Sequence, residues 1–462
     1  MEIAAYSIPT NKSSISFEWK VVWHILLGVI CATQPQLVPL WVLYIILIEG
    51  TYKVYRSRNI LGQAHYAAAY MAAMELIVRM SRSGLPHELT KYAVIFILLN
   101  GLFVRPRSMK GAVPILIFFI LQIPSIVFLA GAEGLERARQ LASFNLSGPL
   151  CLAIATVYFF RRSLQKDELI RVFQQILLPL IATLAWLFIR TPRLSEISFG
   201  TTANFAASGY GPNQMASGLG LGILLTGMAL LFKWPLTKWK PLPIIILAAL
   251  AFRGLLTFSR GGIAGPLIVL LILVAYQATS TQQSGKKRLR TLIMIGLFTG
   301  LGYGVYSYVN QVTGSALFNR YAGISYGKKV GVEKYTSGRL DILRIDAEIF
   351  LDHPFFGIGP GMGTELRLEY GYYEKVAAHI EFSRLPAEHG VLGLAALGIL
   401  LLFPLREFRR RKQFDQRIIL MAGVLFCFSF MAHSATRIAM PMFMYGLAFS
   451  WPLFRRPQSL NP

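Results

Sequence analysis

The residues best suited to acid–base chemistry are a histidine and two glutamates beside a long apolar segment. His379 precedes that segment, and Glu381 and Glu388 come shortly after His379. A neutral imidazole can accept a proton from a hydroxyl nucleophile, and a carboxylate can orient the ring. A surface histidine at the start of a helix explains the pattern equally well. His389, one turn deeper, is a rival for the same role.

Arg260 is the strongest candidate for binding an anion. It is the only charged residue between Arg253 and Lys286, and it stands between two apolar runs. A charge at such a junction is costly unless it is paired or hydrated, so a functional site is the default interpretation. A guanidinium fork is well matched to phosphate or pyrophosphate oxygens. The alternative is an arginine that reaches lipid head groups from the membrane interface.

Other arginines are weaker candidates, because solvated helix ends are the favoured explanation for them. They are Arg137, Arg139, Arg190, Arg193 and Arg437. Arg344 has Glu348 four residues later, a spacing that predicts an ordinary ion pair on a helix.

Two glycine-containing segments could also face an anion. In Gly209-Tyr-Gly-Pro-Asn-Gln-Met-Ala216, Asn213 can cap a helix whose first amides are exposed, and capping alone is favoured. Gly357-Ile-Gly-Pro-Gly-Met-Gly363 is a weak phosphate-cradle signal, since no strand–loop–helix pattern surrounds it. The seven histidines and three cysteines show no metal-ligand spacing, so we expect neither a metal nor a cofactor.

The elements that position these residues are membrane helices. The 462 residues are 54% hydrophobic and 15% charged, against about a quarter charged in a soluble chain. In a soluble protein the net charge of +24 would indicate nucleic-acid binding. Here the basic residues lie in short stretches between apolar runs, as in cytoplasmic loops, so we expect membrane lipids and no nucleic acid as partners.

Apolar runs of about 17–25 residues predict spanning helices. The candidate segments are 18–33, 36–53, 62–79, 91–104, 112–131, 146–161, 171–189, 214–232, 241–257, 261–278, 290–308, 387–405, 418–433 and 436–454. The third contains Glu75 and many small residues, so it could instead lie on the membrane surface. The expected fold is therefore an all-α polytopic membrane protein with about 12–14 transmembrane helices.

The basic loops predict the orientation. With these helices, every basic loop falls on one side, and both termini are then cytoplasmic. The loops are 53–58, 105–110, 161–171, 233–240, 286–288, 406–411 and 455–456.

A large segment, 309–386, lies on the opposite side and divides the chain into 1–308, 309–386 and 387–462. It has nine basic and nine acidic residues, unlike the cytoplasmic loops. Such a long connection is usually functional or disordered, and its composition argues for structure. Residues 338–352 predict an amphipathic helix with Ile342, Ile345 and Ile349 on one face.

Together these segments resemble the O-antigen ligase-like superfamily, which includes O-antigen ligases and polymerases of O-antigen and exopolysaccharide. The ligases carry His, then Asn, Ser or Gln, nine residues, and Gly-x-x-Gly; His379, Gly390 and Gly393 fit, whereas Ile380 departs. Thr257-Phe-Ser-Arg-Gly-Gly262, the Pro-Asn segment at 211–216, Ser337-Gly-Arg339 and the segment 353–361 resemble further family signatures, in family order.

The resemblance implies an inverting, metal-independent glycosyltransferase of the bacterial inner membrane. Its donor would be an oligosaccharide on undecaprenyl pyrophosphate, and its acceptor another glycan or lipid A–core. Carried over by position, His379 activates the acceptor and Arg260 binds the donor pyrophosphate. Further donor-binding candidates are Arg339, Arg190 and Asn213. The assignment of Arg190 rests only on its location in the sequence. A chain-length regulator is a further candidate partner.

Three functions stay open on the sequence. Ile380 and the two helices beyond the roughly twelve of family ligases favour a polymerase slightly over a ligase. A transporter of lipid-linked sugars is disfavoured, because no repeated halves with matched broken helices are present. A non-catalytic assembly partner is the third possibility.

Overall fold

The computed structural model describes residues 15–191, 207–279, 285–325, 327–329, 331, 338–376 and 378–453. These residues form an all-α polytopic membrane protein, as predicted. Every one of the fourteen predicted segments contains a helix. Arg193 and Ser337 lie outside the described residues.

The first half of the bundle has seven helices. They are α1 (Phe17–Thr33), α2 (Pro35–Arg56), α3 (Gln63–Ser81), α4 (Leu89–Val104), α5 (Val113–Glu133), α6 (Leu135–Phe159) and α7 (Lys166–Arg190). A short strand, β1 (Ser163–Gln165), lies between α6 and α7.

The second half contains the large loop. Its elements are α8 (Pro212–Leu231), α9 (Leu242–Leu256), α10 (Arg260–Thr279), α11 (Gly285–Val312), α12 (Ala316–Ala322), β2 (Ile324–Ser325), β3 (Lys328–Lys329), α13 (Arg339–Asp352), α14 (Gly363–Leu366), α15 (Glu381–Arg410), α16 (Phe414–Ser434), α17 (Ala439–Ala448) and β4 (Trp451–Leu453). Strands β2 and β3 pair antiparallel, and β1 pairs in parallel with β4.

Not all fourteen helices meet the requirements for crossing a membrane equally. Among the described residues, eight are long and apolar enough: α2, α5, α6, α7, α8, α10, α15 and α16. Helices α4, α9 and α17 are apolar but shorter. Helices α1, α3 and α11 stand at predicted positions without meeting these criteria, so their crossing stays a prediction.

Helix α3 lies inside the bundle rather than on its surface. Every residue from 67 to 78 is buried, and α3 packs against α4, α7 and α17. Its alanines let the neighbouring helices approach closely. Glu75 is fully buried, pairs with Arg79 at 2.7 Å and accepts the Ala439 backbone N–H. The surface alternative is therefore wrong: α3 is weakly apolar because it faces protein instead of lipid.

The basic loops 105–110, 161–171 and 406–411 lie together at one end of the bundle, here called the basic end. Arg105 donates to the Ile60 carbonyl, and Arg161 lies 3.5 Å from Glu407. The pairing of β1 with β4 joins the loop after α6 to the segment after α17. These contacts group three of the predicted basic loops; loop 455–456 lies outside the described residues, and the orientation of the protein stays a prediction.

The described part of the large loop contains folded structure, as its composition predicts. Ile342, Ile345 and Ile349 are buried on one face of α13, which confirms the predicted amphipathic helix. Asp346 on the same helix accepts from Arg367 at 2.8 Å and from Ser383 at 2.6 Å. These bonds tie α13 to the rest of the loop and to the first turn of α15.

Candidate active site

Two turns that the sequence singled out are joined directly. The Ser259 hydroxyl donates to the Asn213 side-chain oxygen at 2.8 Å. A Cβ on Gly262 would lie 2.4 Å from the Ala216 Cβ, so glycine is needed where α10 crosses α8. The Asn213 side-chain oxygen therefore accepts from Ser259, and Asn213 makes no side-chain cap for α8. The capping interpretation is wrong; Asn213 positions the turn that precedes Arg260.

Three arginines lie within electrostatic reach of one another near this turn and are here called the arginine cluster. Arg260 begins α10, Arg320 belongs to α12, and Arg339 begins α13. Burial lowers the pKa of Arg339, and the charges of Arg260 and Arg320 lower it further. Burial and the charge of Arg260 also lower the pKa of Arg320. One charge affects the pKa of another group only within electrostatic reach, so the three guanidinium groups lie in one region of the molecule.

His379 lies next to the cluster, on the segment that enters α15. Its carbonyl accepts the Ala435 N–H at 3.2 Å, and Arg437 donates to the neighbouring Ala378 carbonyl at 2.8 Å. Among the described residues, its buried Nδ1 has no hydrogen-bond partner. Burial lowers the pKa of His379 to about 4, with further contributions from Arg437 and Arg339. The imidazole is therefore neutral at pH 7 and available as a proton acceptor.

The two glutamates near His379 do not orient it. Glu381 and Glu388 both bind the buried Arg384, which reaches Glu381 at 2.6 and 2.9 Å and Glu388 at 2.6 Å. Their spacing of three and four residues from Arg384 puts them on one helix face. The expectation that either carboxylate holds the imidazole is wrong, because both neutralise this arginine instead.

His389 has a different environment from His379. It is fully buried and shares a hydrogen bond of 2.6 Å with the Ser125 hydroxyl of α5. Helix α15 breaks one residue later, at Gly390 (φ 61°, ψ −143°). His389 therefore holds α15 against α5, and His379 is the better candidate for chemistry.

The glycine-rich segment 357–363 fills the break in α15. Ile358 N–H donates to the Ala387 carbonyl at 3.2 Å, and Gly359 N–H donates to the Glu388 carbonyl at 3.0 Å. Gly357 and Gly359 have φ of 67° and 89°, which favours glycine. Because these two amides donate to carbonyls of α15, they pack the segment against the helix and are not available to bind a phosphate.

The remaining candidate arginines are held elsewhere. Arg190 is exposed, and its Nε donates to the Ala32 carbonyl at the end of α1 at 2.6 Å. It is not among the charges that shift the pKa of Arg320 or Arg339. Arg137 pairs with Glu365 at 2.5 Å, and Arg139 with Glu136 at 2.7 Å. Arg344 pairs with Glu348 at 2.9 Å, as predicted.

Two residues of the site were missed by the sequence argument. Arg320 resembles any solvated loop arginine in sequence, and only the fold brings it to Arg260. His433 bonds Ser217 at 2.9 Å and the Ser429 carbonyl at 2.7 Å, with its ring against Gly261. The signal that could have found His433 is its position one turn before Arg437, at the same end of the bundle. We call this end, which holds the arginine cluster and His379, the His379 end.

In the described ranges, no three or more His, Cys, Asp or Glu side chains form a group that could hold a metal ion. The charged groups that the site offers a ligand are therefore mainly guanidinium groups.

Comparison with known proteins now adds an independent observation. Residues 244–398 match the family model described as O-antigen ligase. The match runs from α9 into α15, so it contains the arginine cluster and His379 but neither Asn213 nor Arg190. No curated protein matches the chain. This match covers about a third of the chain and supports the resemblance to the O-antigen ligase-like superfamily that the sequence motifs indicate.

Proposed function

We propose that this protein is a glycosyltransferase that moves a glycan from a lipid pyrophosphate to a sugar hydroxyl. The observation that carries the proposal is the neutral His379 beside the arginine cluster, inside the region that matches the family. The donor would be an oligosaccharide on undecaprenyl pyrophosphate. The proposed enzyme is inverting and uses no metal.

In the proposed reaction, an acceptor hydroxyl attacks the anomeric carbon from the face opposite the pyrophosphate. A new glycosidic C–O bond forms, and the C–O bond to the pyrophosphate breaks. His379 takes the hydroxyl proton, and undecaprenyl pyrophosphate leaves with the bonding electrons. Base catalysis of this kind contributes about 10²–10⁴ in rate.

The arginine cluster would stabilise the leaving group. Negative charge grows on the pyrophosphate as the bond breaks, and fixed cations at that position lower the barrier. Arg260 and Arg339 keep their predicted roles, and Arg320 joins them. Asn213 acts indirectly, through Ser259. Arg190 is left out of the proposed site because it binds the end of α1.

The basic loops support an orientation for the proposed enzyme. With the basic end in the cytoplasm, the His379 end faces the outer side of a bacterial inner membrane, and both termini are cytoplasmic. Lipid-linked glycans would then meet the site from the outer leaflet.

The acceptor decides between two members of the family. We favour a polymerase, whose acceptor is a second lipid-linked repeat unit, over a ligase that uses lipid A–core. Ile380 supports this choice, because it offers no hydrogen-bonding side chain next to His379. A chain-length regulator would be a partner of such a polymerase.

The first test is chemical. Purified protein is incubated with a lipid-linked oligosaccharide, and released undecaprenyl pyrophosphate is measured by mass spectrometry together with the glycan product. Release coupled to a longer glycan is expected. A transporter or a non-catalytic partner would release none, and that result would overturn the proposal.

The second test is genetic and settles the acceptor. The gene is deleted in its host, and surface glycans and lipid-linked intermediates are separated on gels. Single repeat units on the carrier or on core support the polymerase. Full-length polymer on the carrier with bare core would instead establish the ligase.

A further inference from the structure

An open apolar groove runs between α9 and α11. Its volume is about 530 Å³, and its lining is apolar and includes Ala248, Ala249, Phe252, Gly300, Gly304 and Tyr308. The rings of Phe252 and Tyr308, with centroids 5.9 Å apart, lie toward the ends of the two helices that lead to the arginine cluster.

The glycines in this groove differ from those inside the bundle. A Cβ on Gly220 or Gly262 would meet other protein atoms at 2.4 Å, so these glycines permit close helix crossings. A Cβ on Gly300 or Gly304 would meet no atom within 4 Å, and both residues are exposed. The protein's own packing therefore does not require glycine at these two positions. Because glycine has no side chain, both positions leave room for a molecule from the membrane.

The groove and the arginine cluster are connected along the chain. Helix α9 ends at Leu256, four residues before Arg260, and α11 ends at Val312, eight residues before Arg320. The same two helices thus line an apolar groove and lead into a cationic site at one end of it. A ligand that fits both features has an anionic head group and a long hydrocarbon tail.

We propose that this groove holds the head-proximal part of the hydrocarbon tail of the pyrophosphate-linked donor. The inference rests on the proposed function, because it assumes that the arginine cluster binds the donor pyrophosphate. Gly300 and Gly304 then determine the donor's position: the tail lies against them while the pyrophosphate reaches Arg260 and Arg320. Tail binding in a membrane depends on packing, since surrounding lipid is equally apolar.

Filling the groove tests the inference. Gly300→Leu and Gly304→Leu place side chains in open space, so the fold is expected to tolerate them. Gly302→Leu is the matched control: it lies on the same helix, is equally exposed and open, and does not line the groove. We expect the groove variants to raise KM for the long-chain donor about three- to tenfold. A donor with the same head group and a very short isoprenoid tail should be unaffected, and the control should match the wild type.

Photo-crosslinking identifies the occupant. The probe is a polyprenyl pyrophosphate with a photoreactive group near its head, and labelled peptides are mapped by mass spectrometry. We expect the probe to label 248–252 and 300–308, and unlabelled undecaprenyl pyrophosphate to remove that labelling by competition. Gly304→Leu should weaken the labelling, whereas Gly302→Leu should leave it unchanged. Equal labelling by a photoreactive phosphatidylglycerol would reduce the groove to a general lipid site and overturn the inference.

The two proposals fail in different ways. If the probe labels another face while the protein still releases undecaprenyl pyrophosphate from the donor, the groove is wrong and the proposed function stands. If wild-type protein neither releases undecaprenyl pyrophosphate nor binds the probe, both fail together.

Discussion

Two groups of arginines lie at the His379 end, and they are arranged in opposite ways. Arg367 and Arg384 are buried beside carboxylates: Arg367 pairs with Asp346 at 2.7 Å, and Arg384 binds two glutamates at 2.6 Å. In the arginine cluster, the charge of Arg260 lowers the pKa of both Arg320 and Arg339, in addition to the effect of burial. The first group is neutralised within the fold, whereas each member of the second lies within electrostatic reach of another arginine.

This difference separates structural arginines from candidate functional ones. A buried charge is tolerated when a partner neutralises it, and removing that partner is strongly destabilising. Like charges held together by the fold oppose folding, and an anionic ligand relieves their repulsion. We therefore expect variants of the first group to lose stability and variants of the second to lose activity.

The largest effect is expected at His379, the proposed base. His379→Ala should lower kcat by about 10²–10⁴, because the acceptor hydroxyl loses its proton acceptor. Thermal unfolding in detergent should stay near the wild-type temperature, since the buried Nδ1 has no partner in the described residues.

His389→Ala is the comparison for that experiment. It removes the bond to Ser125, so a lower unfolding temperature is expected while folded protein keeps its turnover. Near-normal turnover in His379→Ala would remove this residue from the mechanism.

The second effect concerns the neutralised group. Asp346→Ala leaves Arg367 buried without its carboxylate, and about 3–5 kcal/mol of stability should be lost. Replacing both residues, Asp346→Leu with Arg367→Met, should restore much of it, because no charge is then left unpaired. Thermal unfolding of both purified variants measures this, and equal loss in the double variant would contradict the argument.

The sequence predicted the fold better than it predicted the site. The fourteen helical segments could be predicted because the length of an apolar run is a property of the local sequence. Hydropathy could not distinguish a helix that faces lipid from one that faces protein, so the place of α3 stayed open. The prediction that Glu381 orients His379 was wrong, because Glu381 binds Arg384, three residues later on the same helix face. Arg320 was missed because only tertiary structure brings it to Arg260.

The third effect concerns the arginine cluster. Arg260→Ala and Arg320→Ala should each lower kcat by about 10²–10³, the usual loss for a group that stabilises developing negative charge. The unfolding temperature of Arg320→Ala should not fall, because this variant relieves the repulsion between Arg320 and Arg260. Arg344→Ala is the control, since its exposed pair with Glu348 contributes little. Unchanged turnover with lower stability in either variant would move that residue into the structural group.

The smallest effect is a shift in pH dependence that reports on the surroundings of His379. A base works in its neutral form, so kcat/KM falls as the pH drops through its pKa in the free enzyme. Because burial and nearby arginines lower the pKa of His379 to about 4, activity should persist at pH 5.5, where a solvated histidine would already be protonated. Arg437→Gln removes a positive neighbour, so the pKa should rise and the fall in kcat/KM should begin at higher pH. Arg437→Lys keeps the charge and should leave the profile in place. If both variants moved the profile equally, the contact with the Ala378 carbonyl rather than the charge of Arg437 would control His379.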